Sequence, residues 1–468
     1  KLEKLDGMWA FAYFNFKNNS LIISRDKFGE KPLYYSLKNN ELIFGSNLNY
    51  ISTISNSNYK INYHKLESII KNSFRTLFLN NETLFKGISS LESGTYLEFD
   101  SKKNIRIKKY WLPEKVKTKK NKSYKKIITD LKKEFFKSIK RRFISDFQIS
   151  CALSGGIDSG SIVSIANRKM KKKIHSFSIK PKNLNYSENE NILKVVKQNR
   201  LNHTFVNIQK NNSKNLKNLN DIIKKTSSIL PTTTWLIFNE LCKKIKKSKC
   251  KVVLSGSGGD EIFAGYYIHH LIFLYSLKND ISFNKKFDEW KKYVVPYIRS
   301  NKLKNFDYFK KLKNFNERKF YEYLDNNSYV KGKLRRKNIL DKGINLSDFK
   351  KSLFTDIFKF TLPFQLYSMD NVAMYNGLES RVPLLSGDIY KYILTIPTKY
   401  FIQNGYSKKI LRDLVKGFLP SKLLKDRNKI GFFMNIDDIY DFKDKKIINL
   451  IINNKFIKKN TYLEKIKE

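Results

Sequence analysis

The stretch Cys151-Ala152-Leu153-Ser154-Gly155-Gly156-Ile157-Asp158-Ser159-Gly160 decides the fold. Phe147 to Leu153 is an apolar run that reads as a buried strand, and the pattern after the glycines predicts a helix from Ser159 to about Met170. A strand that turns through glycines into a helix aims several backbone N–H groups at one point, where the positive end of the helix dipole also lies. Such a nest binds anions, phosphate above all. A Cβ in the turn would block both its tightness and the close approach of phosphate oxygens, which is why glycine is needed.

A second loop repeats the design: Ser255-Gly256-Ser257-Gly258-Gly259-Asp260-Glu261 follows the apolar run Cys250 to Leu254. In a parallel sheet, two strand-end loops meet at the carboxyl edge, where open α/β sheets bind ligands. That meeting would bring Asp158 and Asp260 within reach of one metal ion, since cations bound with nucleotide take one or two carboxylates. Gly256-Ser257-Gly258 supplies the first half of a dinucleotide fingerprint, but Glu261 stands where the third glycine belongs, so that reading fails. The Walker pattern GxxxxGK[ST] occurs nowhere. The first loop instead resembles the pyrophosphate-binding loop (SGGxDS) of enzymes that split ATP into AMP and pyrophosphate.

Outward from the two loops, strands alternate with helices. Tyr124 to Phe143 has helical periodicity, His175 to Ile179 and His203 to Ile208 read as strands, and Ser187 to Asn199 reads as a helix. The alternation predicts a parallel, doubly wound sheet. Residues 1 to 112 read differently: short apolar runs (Met8 to Phe16, Leu21 to Ser24, Leu33 to Ser36, Leu42 to Phe44, Thr95 to Phe99) broken by Gly, Asn and Pro predict a β-rich layered domain. Residues 113–123 are Lys-rich and poor in apolar residues, the expected linker to a second domain over 124–468. From about residue 262 onward helical patterns with aromatic stripes predominate. The fold class is therefore α/β, a partial β-rich domain followed by a doubly wound domain with a helical C-terminal portion.

Composition sets the remaining bounds. The 468 residues are 41% hydrophobic and 14% aromatic, which excludes a disordered chain, and no run of 18 apolar residues exists to span a membrane. No signal peptide is visible at the start, so the cytoplasm is the expected compartment. Lys+Arg 92 against Asp+Glu 42 gives +50, yet the basic residues are mostly lysines spread along the chain, so the charge alone does not assign a nucleic-acid partner. Cys151, Cys242 and Cys250 and the five histidines show no metal-binding or disulfide spacing. The cysteines before the two loops are expected to be buried small hydrophobes.

Further motifs carry a resemblance. Leu5-Asp6-Gly7-Met8-Trp9-Ala10-Phe11-Ala12 and Ser24-Arg25-Asp26-Lys27-Phe28-Gly29-Glu30-Lys31-Pro32-Leu33-Tyr34-Tyr35 resemble the latter half of a class II glutaminase (Ntn-hydrolase-like) domain. The two loops, Leu378-Glu379-Ser380-Arg381-Val382-Pro383-Leu384-Leu385 and Arg427-Asn428-Lys429-Ile430-Gly431-Phe432 resemble the pyrophosphate-loop domain of glutamine-dependent asparagine synthetases. The chain is similar to that superfamily over most of its length.

The resemblance implies an ATP-dependent ligase that amidates aspartate or a related acid through an acyl-adenylate, with glutamine or ammonia as nitrogen donor. ATP would contact Leu153, Ile179, Ser255 and Gly256; pyrophosphate would sit on Ser154, Gly155, Gly156, Asp158 and Ser159; Mg²⁺ would lie between Asp158 and Asp260. Lys429 would reach the reacting centre, a sensible place for a cation because negative charge develops on the phosphate there. Ser257, the other candidate catalytic position, stands in place of the family's glutamate, and serine cannot serve as a carboxylate base. Asp6 would bind the amino group of glutamine. The family's nucleophile is an N-terminal cysteine whose α-amine acts as base, whereas this sequence begins at Lys1, as a fragment or a chain without that half would. Small molecules are the expected partners, with no membrane, no nucleic acid, and a homodimer as one assembly open to the chain. Two alternatives stand beside this reading: an RNA-modifying pyrophosphate-loop ligase and a degenerate, non-catalytic partner subunit.

Overall fold

A computed structural model describes residues 1–56, 59–72, 74–116, 122–180, 188–227, 229, 232–312, 320–321, 323–324, 329–331, 346–432 and 434–462. Its central sheet has five parallel strands: β8 (Ile149–Ala152), β9 (His175–Lys180), β10 (Asn202–Asn207), β11 (Val252–Leu254) and β12 (Glu379–Arg381), in the order β10-β9-β8-β11-β12. From β8 the chain winds outward to β9 and β10, then returns to place β11 on the other side. The strand order therefore reverses between β8 and β11, the switch point where doubly wound sheets leave a crevice. Both glycine loops leave the sheet at this point.

The strands are apolar on both faces because both are covered. Val252 and Leu254 of β11 enter one core cluster with Ile162, Phe263 and Leu384, while Val253 between them enters another with Phe177, Trp235 and Phe238. That alternation is the period of two in a strand. Helix α4 (Ile157–Arg168) is almost wholly buried, and α7 (Thr234–Lys247) packs on β9 and on the Thr361–Tyr375 helix. All three cysteines are free and buried, as the apolar runs before the two loops imply for Cys151 and Cys250. No helix among the described residues is long and apolar enough to cross a membrane.

The first 111 residues form two antiparallel sheets, β1-β2-β6-β7 (Ala10–Asn15, Ser20–Arg25, Thr95–Phe99, Ile105–Lys109) and β4-β3-β5 (Glu41–Gly45, Tyr34–Lys38, Ser89–Ser90). Several elements depart from the sequence reading. Helices α1 (Leu48–Ile54) and α2 (Tyr63–Asn72) interrupt the expected β-rich run; Asn47 caps α1 by accepting the Asn49 N–H, and packing of Leu48 and Ile51 holds the helix despite its β-branched residues. The fifth strand, β12, lies inside a motif read without assigning it a strand. Helix α4 begins two residues earlier than expected, at Ile157, so that Asp158 lies in its first turn. The helix expected from Ser187 runs over Asn189–Asn199, with residue 187 outside the described residues, as are linker residues 117–121.

The Arg25-Asp26-Lys27-Phe28-Gly29 turn fastens the two parts. Fully buried Asp26 accepts N–H bonds from Phe28 and Glu30 on Oδ1 and from Lys31 on Oδ2, and it presents Phe28 to Trp111, Phe358 and Tyr390 at ring separations of 5.1, 6.1 and 6.2 Å. Lys31 then reaches Asp370 at 2.8 Å, and Lys359 reaches Glu92 at 2.6 Å.

Candidate active site

The first loop is held open by its own serines. Ser154 N–H donates to Ser159 Oγ (3.1 Å), Gly156 N–H donates to Ser154 Oγ (3.3 Å), and the two hydroxyls lie 3.0 Å apart. Gly155 has φ +90°, and a Cβ there would stand 2.6 Å from Glu188 Cβ, so both backbone and space require glycine. Gly156 is the N-cap of α4 and offers no side-chain cap, which leaves first-turn amides available to an anion.

The second loop presses against the first. A Cβ on Gly256 would come within 2.7 Å of both Asp158 Cβ and the Ser159 backbone nitrogen, and one on Gly259 within 2.5 Å of Asp158 Oδ1. Gly258, at φ +84°, turns the chain into the short helix Gly259–Phe263, whose first turn carries Asp260 and Glu261. The register Val252↔Ile149 through Leu254↔Cys151 aligns the two strand ends, and Ser255 N–H bonds Arg381 O at 3.0 Å.

The two aspartates converge on a lysine. Lys408 Nζ lies 2.5 Å from Asp158 Oδ2 and 2.7 Å from Asp260 Oδ1, and Lys429 Nζ pairs with Asp260 Oδ2. Burial pushes the Asp158 carboxyl upward, with Lys408 opposing. Burial acts the same way on Asp260, but Lys408 and Lys429 together outweigh it and hold that carboxyl below the usual range. Lys429 is the mirror case: burial would lower its pKa, yet Asp260 and Asp158 raise it above the usual lysine value. Close approach is again secured by glycine, since a Cβ on Gly265 would overlap Asp260 Oδ1 and Lys408 Cε at 1.8 and 2.1 Å.

Around this centre lies a cavity of about 530 Å³. Of the residues expected in the site, Ser154, Gly156, Asp158, Ser159, Ser255, Gly256, Ser257, Asp260 and Lys429 line it. Leu153 and Ile179 are buried at the ends of β8 and β9 behind the lining, and Gly155 forms the back of the loop against Glu188. Ser257 Oγ donates to Met369 Sδ at 3.0 Å, away from the lysines. Asp6 lies outside the cavity, at the junction of the two parts, with Arg141 Nη1 at 2.5 Å and Arg142 Nη1 at 3.8 Å.

Sequence reasoning missed Lys408, Glu188 and Tyr266. Glu188 lines the cavity with its carboxyl pushed up to about 8 by burial, and its Oε2 finds no hydrogen-bond partner. Tyr266 OH donates to Glu261 Oε1 (2.5 Å), and its ring underlies the Lys429 ammonium at 5.4 Å. Burial likewise pushes the Glu261 carboxyl up to about 8. Lys408 stands in a Lys-Lys pair with nothing local to distinguish it; its backbone, at φ +54° before the Lys409–Leu414 helix, is the structural sign of its role.

The donor set suits a divalent cation bound together with phosphate. Asp158 Oδ1 is buried without a hydrogen-bond partner, while no cluster of three or more His, Cys, Asp or Glu occurs among the described residues. Two carboxylates would thus need ligand oxygens to complete a coordination shell.

Comparison with known proteins agrees with this arrangement. Residues 130–466 match the asparagine synthase family model, and residues 1–111 match that of a glutamine amidotransferase domain. A putative glutamine-hydrolysing asparagine synthetase 2 of Methanocaldococcus jannaschii is 32% identical over 57% of this chain and 51% of its own length. Asparagine synthetases 3 and 1 of Bacillus subtilis are 26% and 27% identical over 90% and 92% of the chain, which covers 66% and 68% of their lengths. The chain thus spans about half to two thirds of the curated relatives it matches. With both loops seated at the switch point of its parallel sheet and the family model matched over most of its length, this chain belongs to the asparagine synthase family.

Proposed function

We propose that the chain is an ATP-dependent carbon–nitrogen ligase that activates aspartate or a related carboxylic acid as its acyl-adenylate, releasing pyrophosphate, and passes the acyl group to ammonia with release of AMP. The observation that carries this reading is the juxtaposition of an open helix-end nest, Ser154 to Ser159, with the Asp158–Lys408–Asp260–Lys429 chain on one cavity.

In this reading the nest takes the pyrophosphate portion, and Leu153, Ile179 and Gly256 border the base. Lys429 faces the α-phosphate, where a fixed cation in a water-poor site stabilises the charge that grows as the acid attacks. Mg²⁺, held by Asp158 and Asp260, would neutralise the phosphates when bound. Lys408 keeps the two carboxylates together until then.

The proposed boundaries are 1–112 for the amidotransferase part, 113–123 for the linker and 124–468 for the ligase. Glutamine or ammonia would supply the nitrogen; Asp6 would hold the amino group of glutamine only by leaving Arg141. The cytoplasm fits three thiols that remain free, and a homodimer is the assembly to be read by sedimentation.

Acid-dependent pyrophosphate release tests the reading. Release should require ATP, Mg²⁺ and a carboxylic acid and fall to background in Asp158→Ala, whereas ATP turnover indifferent to that change would overturn it.

A further inference from the structure

Asp158, Glu188, Asp260 and Asp426 are the carboxyl groups that line the cavity among the described residues. The aspartates are engaged: Lys408 and Lys429 hold Asp158 and Asp260, and Asp426 accepts from Asn191 Nδ2 at 3.1 Å and from the Asn428 N–H at 2.9 Å. Glu188 Oε2 is buried and has no hydrogen-bond partner among the described residues.

Local structure gives that side chain no other duty. Residue 188 stands at the head of the Asn189–Asn199 helix, yet its side chain caps no N–H there. The surface lysines of this region pair instead with Glu190, Lys194 at 2.5 Å and Lys422 at 2.9 Å. Glu188 is packed on the phosphate loop, its Cβ 2.6 Å from the place a Cβ on Gly155 would take. Within the cavity Lys429 is the charge that acts on its carboxyl most strongly, ahead of Asp426, Lys408 and Asp158.

An ionised carboxylate beside a nest built for anions would repel the phosphate that the nest attracts. A neutral carboxyl in the same place is a hydrogen-bond donor. Burial favours the neutral form, pushing the group up to about 8 while Lys429 pulls the other way. A metal role is not what the site offers, because no group of three acidic side chains gathers among the described residues.

We infer that Glu188 is a phosphate ligand: its carboxyl keeps its proton and donates an O–H hydrogen bond to the pyrophosphate portion of the nucleotide, beside the backbone amides of the Ser154–Ser159 loop. The inference rests on the ligase reading above and adds a residue to its phosphate site. Such a bond strengthens as the bond from the α-phosphorus to the bridging oxygen breaks and charge gathers on the departing pyrophosphate.

Calorimetric titration of the whole chain with inorganic pyrophosphate in the presence of Mg²⁺ tests this. Glu188→Gln keeps a donor in nearly the same shape and should bind within about threefold of the parent, whereas Glu188→Ala should bind at least about tenfold more weakly. Glu188→Met, similar in length and without a donor, should match the alanine variant, which separates the lost bond from lost packing on Gly155. ATP–pyrophosphate exchange with L-aspartate should rank the variants in the same order. Glutamine as poor as alanine would show that a negative charge is what the site uses and would overturn the inference, as would methionine or alanine binding like the parent. The expected binding order without acid-dependent exchange in the parent would overturn the ligase reading and leave Glu188 as a phosphate ligand; a parent that binds no pyrophosphate would overturn both.

Discussion

Replacing Lys408 with methionine keeps the length of the side chain and removes the charge that binds the two loops. Asp158 Oδ2 and Asp260 Oδ1 each lie against the same ammonium, at 2.5 and 2.7 Å. The carboxylates are therefore held within about 5 Å of each other, where two like charges repel by at least about 3 kcal/mol at an effective dielectric constant near 20. Lys429 still offsets part of this at Asp260, while Asp158 keeps no comparable partner. The loss should fall at or below the range of about 3–5 kcal/mol seen when one member of a buried ion pair is removed. Urea denaturation of Lys408→Met without divalent ions should show about 3 kcal/mol of destabilisation, and adding Mg²⁺ should return part of it, because a dication can sit between the same oxygens. A variant within about 0.5 kcal/mol of the parent in metal-free buffer would show that Lys408 does not hold the carboxylates together, against the physical basis of the site.

Gly256→Ala sets a methyl 2.7 Å from the Ser159 backbone nitrogen, so we expect about 1–3 kcal/mol of overpacking and roughly a hundredfold loss in pyrophosphate exchange as the nest shifts; unchanged exchange would mean the loops part freely. Lys429→Met should lower kcat for exchange by about 10²–10³ with a smaller change in the KM for ATP, as measured by steady-state kinetics. Glu30 is buried, and burial pushes its carboxyl up to about 8 from 4.5, with Arg142 opposing from 3.6 Å. A raised folded value binds the proton more tightly than the unfolded chain does, so the stability linked to Glu30 is complete below about 4.5 and is lost as pH climbs through about 8. Glu30→Gln should accordingly gain on the parent by up to a few kcal/mol between pH 5 and pH 9 in denaturation midpoints, and parallel pH profiles would refute the assignment.

The loops were legible because everything they need is local: glycines for the turn, a carboxylate in the first helical turn, an apolar strand before them. The doubly wound class followed from alternating periodicities for the same reason. Lys408 was not legible, since its partner Asp158 is separated from it by 250 positions and it is one of 92 basic residues. Helices α1 and α2 escaped because tertiary contacts of Leu48, Ile51 and Ile69 override sequences such as Leu-Asn-Tyr-Ile-Ser-Thr-Ile, whose local preference is not helical. Strand β12 is three residues long and gives no period to read; its pairing with β11 defines it. The resemblance implies Asp6 as a ligand for glutamine; its contact with Arg141 was not legible, because that residue lies on α3 (Tyr124–Arg142), outside any local window.

The span between Asp158 and Lys408 also dictates an order of assembly. During translation the first loop leaves the ribosome long before the lysine that balances it, and the intervening segment must close before the pair can form. The entropic cost of that closure rises only logarithmically with its length, but contacts so distant in sequence form late. A nascent chain halted ahead of residue 408 would therefore carry both acidic turns with no ammonium between them, and the crevice at the switch point could not mature before the C-terminal part had followed.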